Sequence, residues 1–145
     1  MIKDIFEFNS QALGVKPRIM LGLSQADAKF LDKALMEEAA ELNTASNGYE
    51  PRTGTRVNDH WKLVHQVDAL IDAAYFAVGG LARAGLTKEQ AQACFEAIHE
   101  ANMRKKLGVN HNRGDLGTAD AVKPDGWVSP ERAIYKILFG EEPTP

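Results

Sequence analysis

The chain has 145 residues and a formal net charge of −3, with 44% hydrophobic and 26% charged residues. This length predicts a single domain, residues 1–145, and the apolar share is sufficient for a folded core. The single cysteine, Cys94, excludes a disulfide framework and a cysteine-rich zinc site. No apolar run reaches the roughly 20 residues of a membrane span, and the acidic N-terminus is unlike a secretory signal. We therefore expect a cytoplasmic protein that binds neither membrane nor, given its charge, nucleic acid.

The apolar periodicity predicts an all-α chain of four or five helices, arranged as a bundle. A short helix is predicted near Ile2–Leu13. The first long helix is predicted to begin after Ser24, which can serve as its N-cap, and to end near Asn47. The second is predicted from about Asp59 to Ala84, and its Gly79-Gly80 pair would allow close packing against a neighbouring helix.

A third helix is predicted from Thr87 to about Lys106, ending in a basic turn of residues 104–106 that suits the helix dipole. Residues 108–128 are predicted to form a polar, glycine-rich loop. Ser129-Pro130 has the pattern of an N-cap and first residue of a short last helix. The sequence has no alternating pattern of convincing strand length, so no sheet is predicted.

The most informative feature is the acidic sequence Glu37-Glu38-Ala39-Ala40-Glu41 in the middle of the first long helix. These glutamates are three or four residues apart, so they share a helix face on which their like charges repel. Asp68 and Asp72 repeat the spacing on the second long helix, and Asp72 lies in an otherwise apolar stretch. Antiparallel packing would bring four or five carboxylates together, and such hard oxygen ligands suit Mg²⁺ or Mn²⁺.

Ordinary structural explanations remain open at this point. The glutamates can form a solvated face, and Asp72 can pair with a buried arginine. The basic residues near Lys105 can be a simple helix C-terminus, and Trp61 and Trp127 can be packing residues as well as platforms for a purine base. An acidic metal site would nevertheless indicate phosphate chemistry, because divalent ions let anionic phosphates approach carboxylates.

Taken together and in this order, the motifs resemble the all-α nucleoside triphosphate pyrophosphohydrolases of the MazG and HisE-like group. The matching pieces are Glu37-Glu38-x-x-Glu41, Asp68-Ala-Leu-Ile-Asp72-Ala-Ala-Tyr-Phe-Ala-Val-Gly79, Ala101-Asn102-Met103-Arg104-Lys105 and Lys123-Pro124-Asp125-Gly126-Trp127-Val128-x-Pro130. The last two pieces are most similar to the stand-alone phage and bacterial branch, which includes MazZ-type, dGTP-directed proteins.

The second acidic motif departs from the family pattern, which is usually Glu-x-x-Asp. Here His65 lies three residues before Asp68, and Ala69 lies three residues before Asp72. The spacing Asp68-x-x-x-Asp72 takes the place of the family motif, so the ligand set is not fixed by the resemblance.

The resemblance implies hydrolysis of a (deoxy)nucleoside triphosphate between its α and β phosphates, giving the monophosphate and pyrophosphate. It implies two or three Mg²⁺ ions per site, with Mn²⁺ as a substitute, and a homodimer or a homotetramer built as a dimer of dimers. Glu38, Glu41, Asp68 and Asp72 would be the metal ligands. The catalytic candidates are Glu38 and Glu37, the latter orienting or deprotonating the attacking water.

The resemblance also assigns phosphate binding to Asn102, Arg104 and Lys105, with Lys123 closing over the site. Apart from the resemblance, Trp61 or Trp127 could stack on a purine base. A dGTP or GTP preference follows only from the MazZ-type likeness, which would also place the protein in a host cytoplasm if it comes from a phage. Two alternatives are a phosphoribosyl-ATP pyrophosphohydrolase of histidine synthesis and a non-enzymatic helical module whose acids face a basic partner.

Overall fold

The computed structural model describes residues 1–16, 22–109 and 120–141. In these ranges the helices are α1 (Ile2–Gln11), α2 (Gln25–Ser46), α3 (Asp59–Arg83), α4 (Lys88–Met103) and α5 (Glu131–Phe139), and the strands are β1 (Lys106–Gly108) and β2 (Asp120–Val122). The predicted all-α class is therefore confirmed, with the two short strands as an addition. The chain groups into two compact units, Met1–Lys88 and Glu89–Pro145. Among the described helices, none combines the length and the apolar character that crossing a membrane requires.

The two long helices begin and end where their capping residues predict. The Ser24 hydroxyl accepts a hydrogen bond from the Asp27 backbone N–H (3.1 Å) at the start of α2. Asn58 serves α3 in the same way, accepting from the Trp61 N–H (3.0 Å). After α2, Gly48 adopts a φ of +85°, a left-handed conformation that glycine enters without the steric cost of a Cβ. These caps confirm the predicted bounds of both helices to within about two residues.

The Gly79-Gly80 pair allows close helix packing, as predicted, and brings α3 against two helices. A Cβ added to Gly80 would stand 2.8 Å from Leu31 Cδ1 of α2, and one added to Gly79 would stand 3.0 Å from Asn9 Nδ2 of α1. Leu31 and Asn9 are themselves buried, at 8% and 3% exposure. Two side chains of adjacent helices therefore occupy the space that β-carbons on α3 would fill.

Helices α2 and α3 run antiparallel, and contacts at both ends fix their register. Near the start of α2, Arg83 Nη1 donates to Asp27 Oδ1 (3.1 Å). Near its end, Gln66 Nε2 donates to Ser46 Oγ (3.0 Å). The glycine contact described above lies between these two bonds. A one-turn slip of either helix would break all three contacts.

Residues 47–58 form the predicted loop between the two long helices. The Glu50 carboxylate accepts hydrogen bonds from the backbone N–H groups of Thr53 (2.7 Å) and Arg52 (3.1 Å). Hydrogen bonding by Thr53 and then Arg52 lowers the pKa of Glu50 to about 2. An isolated antiparallel bridge joins Tyr49 to Arg56, so the loop returns the chain directly into α3.

The second unit differs from the sequence prediction at the end of α4. The helix stops at Met103, so residues 104–106 do not form its last turn. Lys106 instead begins β1, which pairs antiparallel with β2 through Lys106↔Val122 and Gly108↔Asp120. The expectation of no sheet was wrong, because strands of three residues are too short to show alternation. Residues 110–119 of the predicted loop lie outside the described residues.

Helix α5 begins at Glu131, one residue later than predicted. Pro130 is the N-cap, and its carbonyl accepts from the Ile134 N–H (2.9 Å), so the predicted cap at Ser129 was wrong. The backbone of Pro130 already has helical angles, which moves the boundary past the serine. On α4, Cys94 is buried at 7% exposure, as expected of a core residue.

Substitution of Gly80 tests the close approach of α2 and α3. We expect Gly80→Val to lower the free energy of unfolding by about 1–3 kcal/mol, because the added carbons overlap the buried Leu31 side chain. Ala77→Val, at an exposed position of the same helix, is the matched control for β-branching. Chemical denaturation monitored by circular dichroism measures both; equal stability of Gly80→Val and wild type would contradict the packing described.

Candidate active site

The register of α2 and α3 brings their acidic residues to the same level. Glu38 lies seven residues after Leu31 on α2, and Ala73 lies seven residues before Gly80 on α3. Seven residues make about two turns, so both steps return to nearly the same helix face. Because Leu31 and Gly80 are in contact, Glu38 stands opposite the neighbourhood of Asp72. The antiparallel arrangement expected from the sequence is therefore confirmed.

The electrostatics of Glu38 show that the predicted carboxylates lie close to one another. Partial burial of Glu38 raises its pKa, and the negative charges of Glu41, Asp72, Glu37 and Asp68 raise it further, in that order. Two of these charges come from α3, so they act across the helix interface. We call these five residues the acidic cluster. Within it, Glu38 and Glu41 are half-buried and the other three are exposed.

The sequence left open that Asp72 pairs with a buried arginine, and the structure shows which carboxylate Arg83 contacts. The half-buried arginine on the same stripe of α3 is Arg83, and its guanidinium donates to Asp27 (3.1 Å). Asp72 itself is exposed at the edge of the acidic cluster. Arg83 therefore secures the helix pair and does not neutralise the cluster.

The carboxylate oxygens of the acidic cluster are of the kind that bind divalent cations, although the side chains do not point to one common centre. Within the described parts of the chain, no group of three or more His, Cys, Asp or Glu side chains is close enough to hold a metal ion as the rotamers stand. The carboxylates offer the hard oxygen donors that Mg²⁺ and Mn²⁺ prefer. A cation would also relieve the mutual repulsion that raises the pKa of Glu38.

Trp61, the predicted base-stacking residue, lies on the same stripe of α3 as the two aspartates. Its side chain is 56% exposed, and its indole stacks on the His65 ring, with centroids 5.8 Å apart and planes at 30°. The spacing of Trp61, His65, Asp68 and Asp72 is four, three and four residues, which is helical. Trp61 is therefore accessible, but its ring is already in contact with a neighbour.

The predicted phosphate-binding residues belong to the second unit, where Trp127 organises two of them. Lys123 Nζ lies 4.6 Å and Lys105 Nζ 5.7 Å from the centre of the Trp127 ring. The indole N–H donates to the Ala101 carbonyl (2.7 Å) at the end of α4. Trp127 is thus a packing residue that gathers two lysines by cation–π interaction.

Asn102 and Arg104 form hydrogen bonds at the C-terminal end of α4. The Asn102 carbonyl accepts from the Lys105 N–H (3.0 Å), and its side chain is exposed. Arg104 Nε donates to the Glu100 carbonyl (3.2 Å). Arg104 therefore satisfies a helix-terminal carbonyl, whereas the side chain of Asn102 remains exposed beside it.

A cavity beside the acidic cluster was not predicted from the sequence. It has a volume of about 570 Å³ and lies among α1, α2 and α3. Its lining includes four aromatic residues and both charge signs: Phe8, Phe30, Tyr75, Phe76, Asp72 and Arg83. We call it the aromatic cavity. The available sequence signal was the helical spacing of Tyr75 and Phe76 after Asp72, but only the packing of three helices shows that these side chains border open space.

The fold and the acidic cluster define an all-α protein with carboxylates gathered on two antiparallel helices. A family model described as phosphoribosyl-ATP pyrophosphohydrolase matches residues 16–102. The match covers more than half of the chain, so the chain belongs to this family, which confirms the resemblance to the MazG and HisE-like group. The protein is accordingly a nucleotide pyrophosphohydrolase in the general sense, and the non-enzymatic alternative loses its support.

The family match contains some of the candidate site residues and excludes others. The match includes the acidic cluster and ends at Asn102, before Arg104, Lys105 and Lys123. Searches of curated proteins and of solved structures each returned no match. The assignment of Arg104, Lys105 and Lys123 therefore depends only on the resemblance of their motifs and not on the family match.

Neutralisation of Asp72 tests the coupling across the two helices. We expect Asp72→Asn to lower the pKa of Glu38, because one of the charges that raises it is removed. A raised pKa in the folded state means that Glu38 contributes most to stability below its unfolded pKa, and that this contribution is lost as the pH rises through the folded value.

The measurement is a carboxyl-detected NMR titration in metal-free buffer. Asp32→Asn removes an exposed charge of α2 that is not among the main causes of the raised Glu38 pKa, so it should change that pKa less than Asp72→Asn does. An unchanged pKa of Glu38 in Asp72→Asn would show that the two carboxylates do not interact.

Proposed function

We propose that this protein is a Mg²⁺-dependent pyrophosphohydrolase of (deoxy)nucleoside triphosphates, cleaving the α–β phosphoanhydride to release the monophosphate and pyrophosphate. The proposal rests on one observation above all. In a chain that belongs to a pyrophosphohydrolase family, partial burial and four neighbouring carboxylates on two antiparallel helices raise the pKa of a fifth carboxylate, Glu38. Such a concentration of negative charge supports a role in holding divalent cations.

In this proposal the metal ligands are Glu38, Glu41, Asp68 and Asp72. These four residues supply oxygen donors from both helices, enough for the two or three Mg²⁺ ions expected of the family, and Mn²⁺ would be accepted by the same donors. Bound divalent cations would lower the pKa of the attacking water and stabilise charge on the attacking and leaving oxygens. Proton transfer and phosphate binding are proposed to be carried out by side chains of the protein.

Glu37 is the proposed general base. It is exposed, adjacent in sequence to Glu38, and its charge contributes to the raised pKa of that residue. A carboxylate in this position can accept the proton of the water as its oxygen attacks phosphorus. The bond to the bridging anhydride oxygen then breaks, and its electron pair leaves with pyrophosphate. No covalent nucleophile is required, consistent with the burial of Cys94.

The phosphates are proposed to bind Lys105 and Lys123, assisted by Asn102 and Arg104. The two lysines lie over one indole ring, which holds two positive charges close together. Paired cations of this kind neutralise charge that develops on a leaving pyrophosphate. Trp61 is retained as a candidate contact to the base, since most of its ring is exposed.

A second candidate substrate is phosphoribosyl-ATP, which the description of the matched family names. Cleavage of this compound breaks the same anhydride, so the acidic cluster serves either reaction. A panel of the eight common (d)NTPs and phosphoribosyl-ATP, assayed with Mg²⁺ by pyrophosphate release, distinguishes them. The proposed dGTP preference is tested in the same panel. Turnover of phosphoribosyl-ATP alone would replace the (d)NTP proposal.

We also propose that a second copy of the chain covers the apolar face of α3, giving a homodimer or a dimer of dimers. This face presents large apolar side chains that are all more than half exposed: Leu63, Val64, Val67, Leu70 and Ile71. A contiguous apolar surface of this kind marks an association site more often than a free surface. Sedimentation equilibrium measures the mass, and a monomer at micromolar concentration would contradict the proposal. A cytoplasmic location, where nucleotides are abundant, belongs to the same proposal.

Removal of one carboxylate charge from each helix tests the metal assignment. We expect Glu38→Gln and Asp72→Asn each to abolish turnover, because the amide oxygen is a far weaker ligand for a hard cation. Helical circular dichroism should be unchanged in both. Asp32→Asn, which removes an exposed charge of α2 outside the acidic cluster, should retain the wild-type rate. Wild-type rates in either cluster variant would refute the assignment.

Lys105→Ala tests the proposed phosphate contact. We expect a raised KM or a lowered kcat, with Mg²⁺ affinity little changed, because the lysine contacts substrate and not metal. Arg132→Ala, at an exposed position of α5, is the control for loss of a positive charge. Loss of folding in Lys105→Ala would instead show that the lysine is needed for packing against Trp127.

A further inference from the structure

We propose that the aromatic cavity binds the base of the nucleotide substrate, and that it selects an unmodified base over one that carries a phosphoribosyl group. This inference rests on the proposed function and deepens it. It assigns base recognition to the lining of the aromatic cavity, and Trp61, the candidate contact named above, is the competing assignment that the test separates from it.

The position of the cavity relative to the acidic cluster is the first argument. Asp72 belongs to both, since it lies at the level of Glu38 in the α2–α3 register and also lines the cavity. From Asp72 the lining follows one stripe of α3 through Tyr75, Phe76 and Gly79. The seven residues from Asp72 to Gly79 rise about 10 Å along the helix. That distance is comparable with the span from the α phosphate of a nucleotide to the far edge of its base.

The walls of the cavity are the second argument. Phe8 and Tyr75 meet edge to face with centroids 6.0 Å apart, and Phe30 meets Phe76 in the same way at 6.0 Å. Phe8, Phe30 and Tyr75 are each 40–45% exposed, so their rings are accessible from the cavity side. Aromatic rings are the usual stacking partners of bases, and about 570 Å³ lies within the range of small-molecule sites.

Asn9 provides a fixed polar group in an otherwise apolar wall. It is 3% exposed, and its Nδ2 donates to the Ile5 carbonyl (2.9 Å). Close approach of Gly79 fixes the amide further, since a Cβ there would stand 3.3 Å from Asn9 Oδ1. The amide is thereby held in one orientation, with Oδ1 as the hydrogen-bond acceptor of this wall. A few fixed polar groups in an apolar lining are typical of sites that orient a ligand.

The charges of the lining favour an unmodified base. Arg83 is the one basic residue among the described residues that line the cavity. It already donates to Asp27 (3.1 Å), and its guanidinium carbon lies 4.7 Å from the centre of the Phe30 ring. A phosphoribosyl group on the base would bring a further phosphate to this lining, where the one cation is already engaged. An uncharged base meets no such penalty.

The α1 wall of the cavity lies outside the residues that the family model matches. Phe8, Asn9 and Leu13 line the cavity, but the family match begins only at residue 16. The family match therefore does not reach the α1 residues that line the cavity. The description of the family therefore does not determine which base this cavity accepts.

The test compares cavity variants by steady-state kinetics with the best (d)NTP of the panel. We expect Tyr75→Leu to raise KM roughly fivefold to 100-fold through loss of base stacking, with kcat within about twofold. Phe8→Leu, on the α1 side of the cavity, should act in the same direction, and Tyr75→Phe should restore wild-type KM. Inhibition by inorganic tripolyphosphate, which has no base, should be the same in all variants. Phe95→Leu is the control, an equally exposed ring on α4 outside the cavity lining.

Any of three results would overturn the inference. Wild-type KM in both folded variants, Tyr75→Leu and Phe8→Leu, would show that the cavity does not hold the base, and a KM increase confined to Trp61→Leu would move base recognition to that residue. A higher kcat/KM for phosphoribosyl-ATP than for every (d)NTP would refute the selection of an unmodified base.

A binding measurement separates this inference from the proposed function. Saturation-transfer NMR with the eight common nucleosides, without phosphate or metal, reports base binding independently of hydrolysis. If the wild-type protein binds a nucleoside and Tyr75→Leu does not, the cavity is a base site even if no (d)NTP is hydrolysed. If (d)NTPs are hydrolysed with Tyr75→Leu kinetically unchanged, the proposed function holds and the cavity inference fails.

Discussion

The close contact of α3 with α2 at Gly80 and Leu31 is the constraint on which the rest of the first unit depends. Since a β-carbon at Gly80 would overlap Leu31, the two helices meet in a register that the Arg83–Asp27 and Gln66–Ser46 bonds secure at either end. This register sets Glu38 level with Asp72. It therefore creates a concentration of negative charge that neither helix has by itself.

Repulsion among these carboxylates lowers the stability of the folded chain, but the same carboxylates are suited to binding a cation. Burial and four neighbouring charges raise the pKa of Glu38, so ionisation of this residue is less favourable in the folded chain than in the unfolded one. The interhelical contacts must offset the repulsion, and they lie about two turns or more from Glu38, at Asp27, Leu31 and Ser46. Strain of this kind is common where a protein is built to hold a charged ligand, because the ligand relieves it.

The second unit gathers charge of the opposite sign by a different device. The Trp127 indole donates to the Ala101 carbonyl at the end of α4, and the same ring lies under Lys105 and Lys123. The two lysines are 18 residues apart in sequence and are collected by one aromatic side chain. The β1–β2 pairing helps to return the chain, since Lys106 and Val122 are opposite each other in the antiparallel ladder.

The sequence alone determined the two long helices, the Ser24 cap and the acidic spacing, because each of these depends on residues within one or two turns of one another. Ser24, the Gly79-Gly80 pair and the glutamates around Glu38 carried those local signals. Tertiary structure alone decided the helix register, the three-residue strands, the use of Trp127 as a packing residue and the aromatic cavity. These features depend on contacts between residues far apart in the chain, such as Phe8 with Tyr75, and no local periodicity records such contacts.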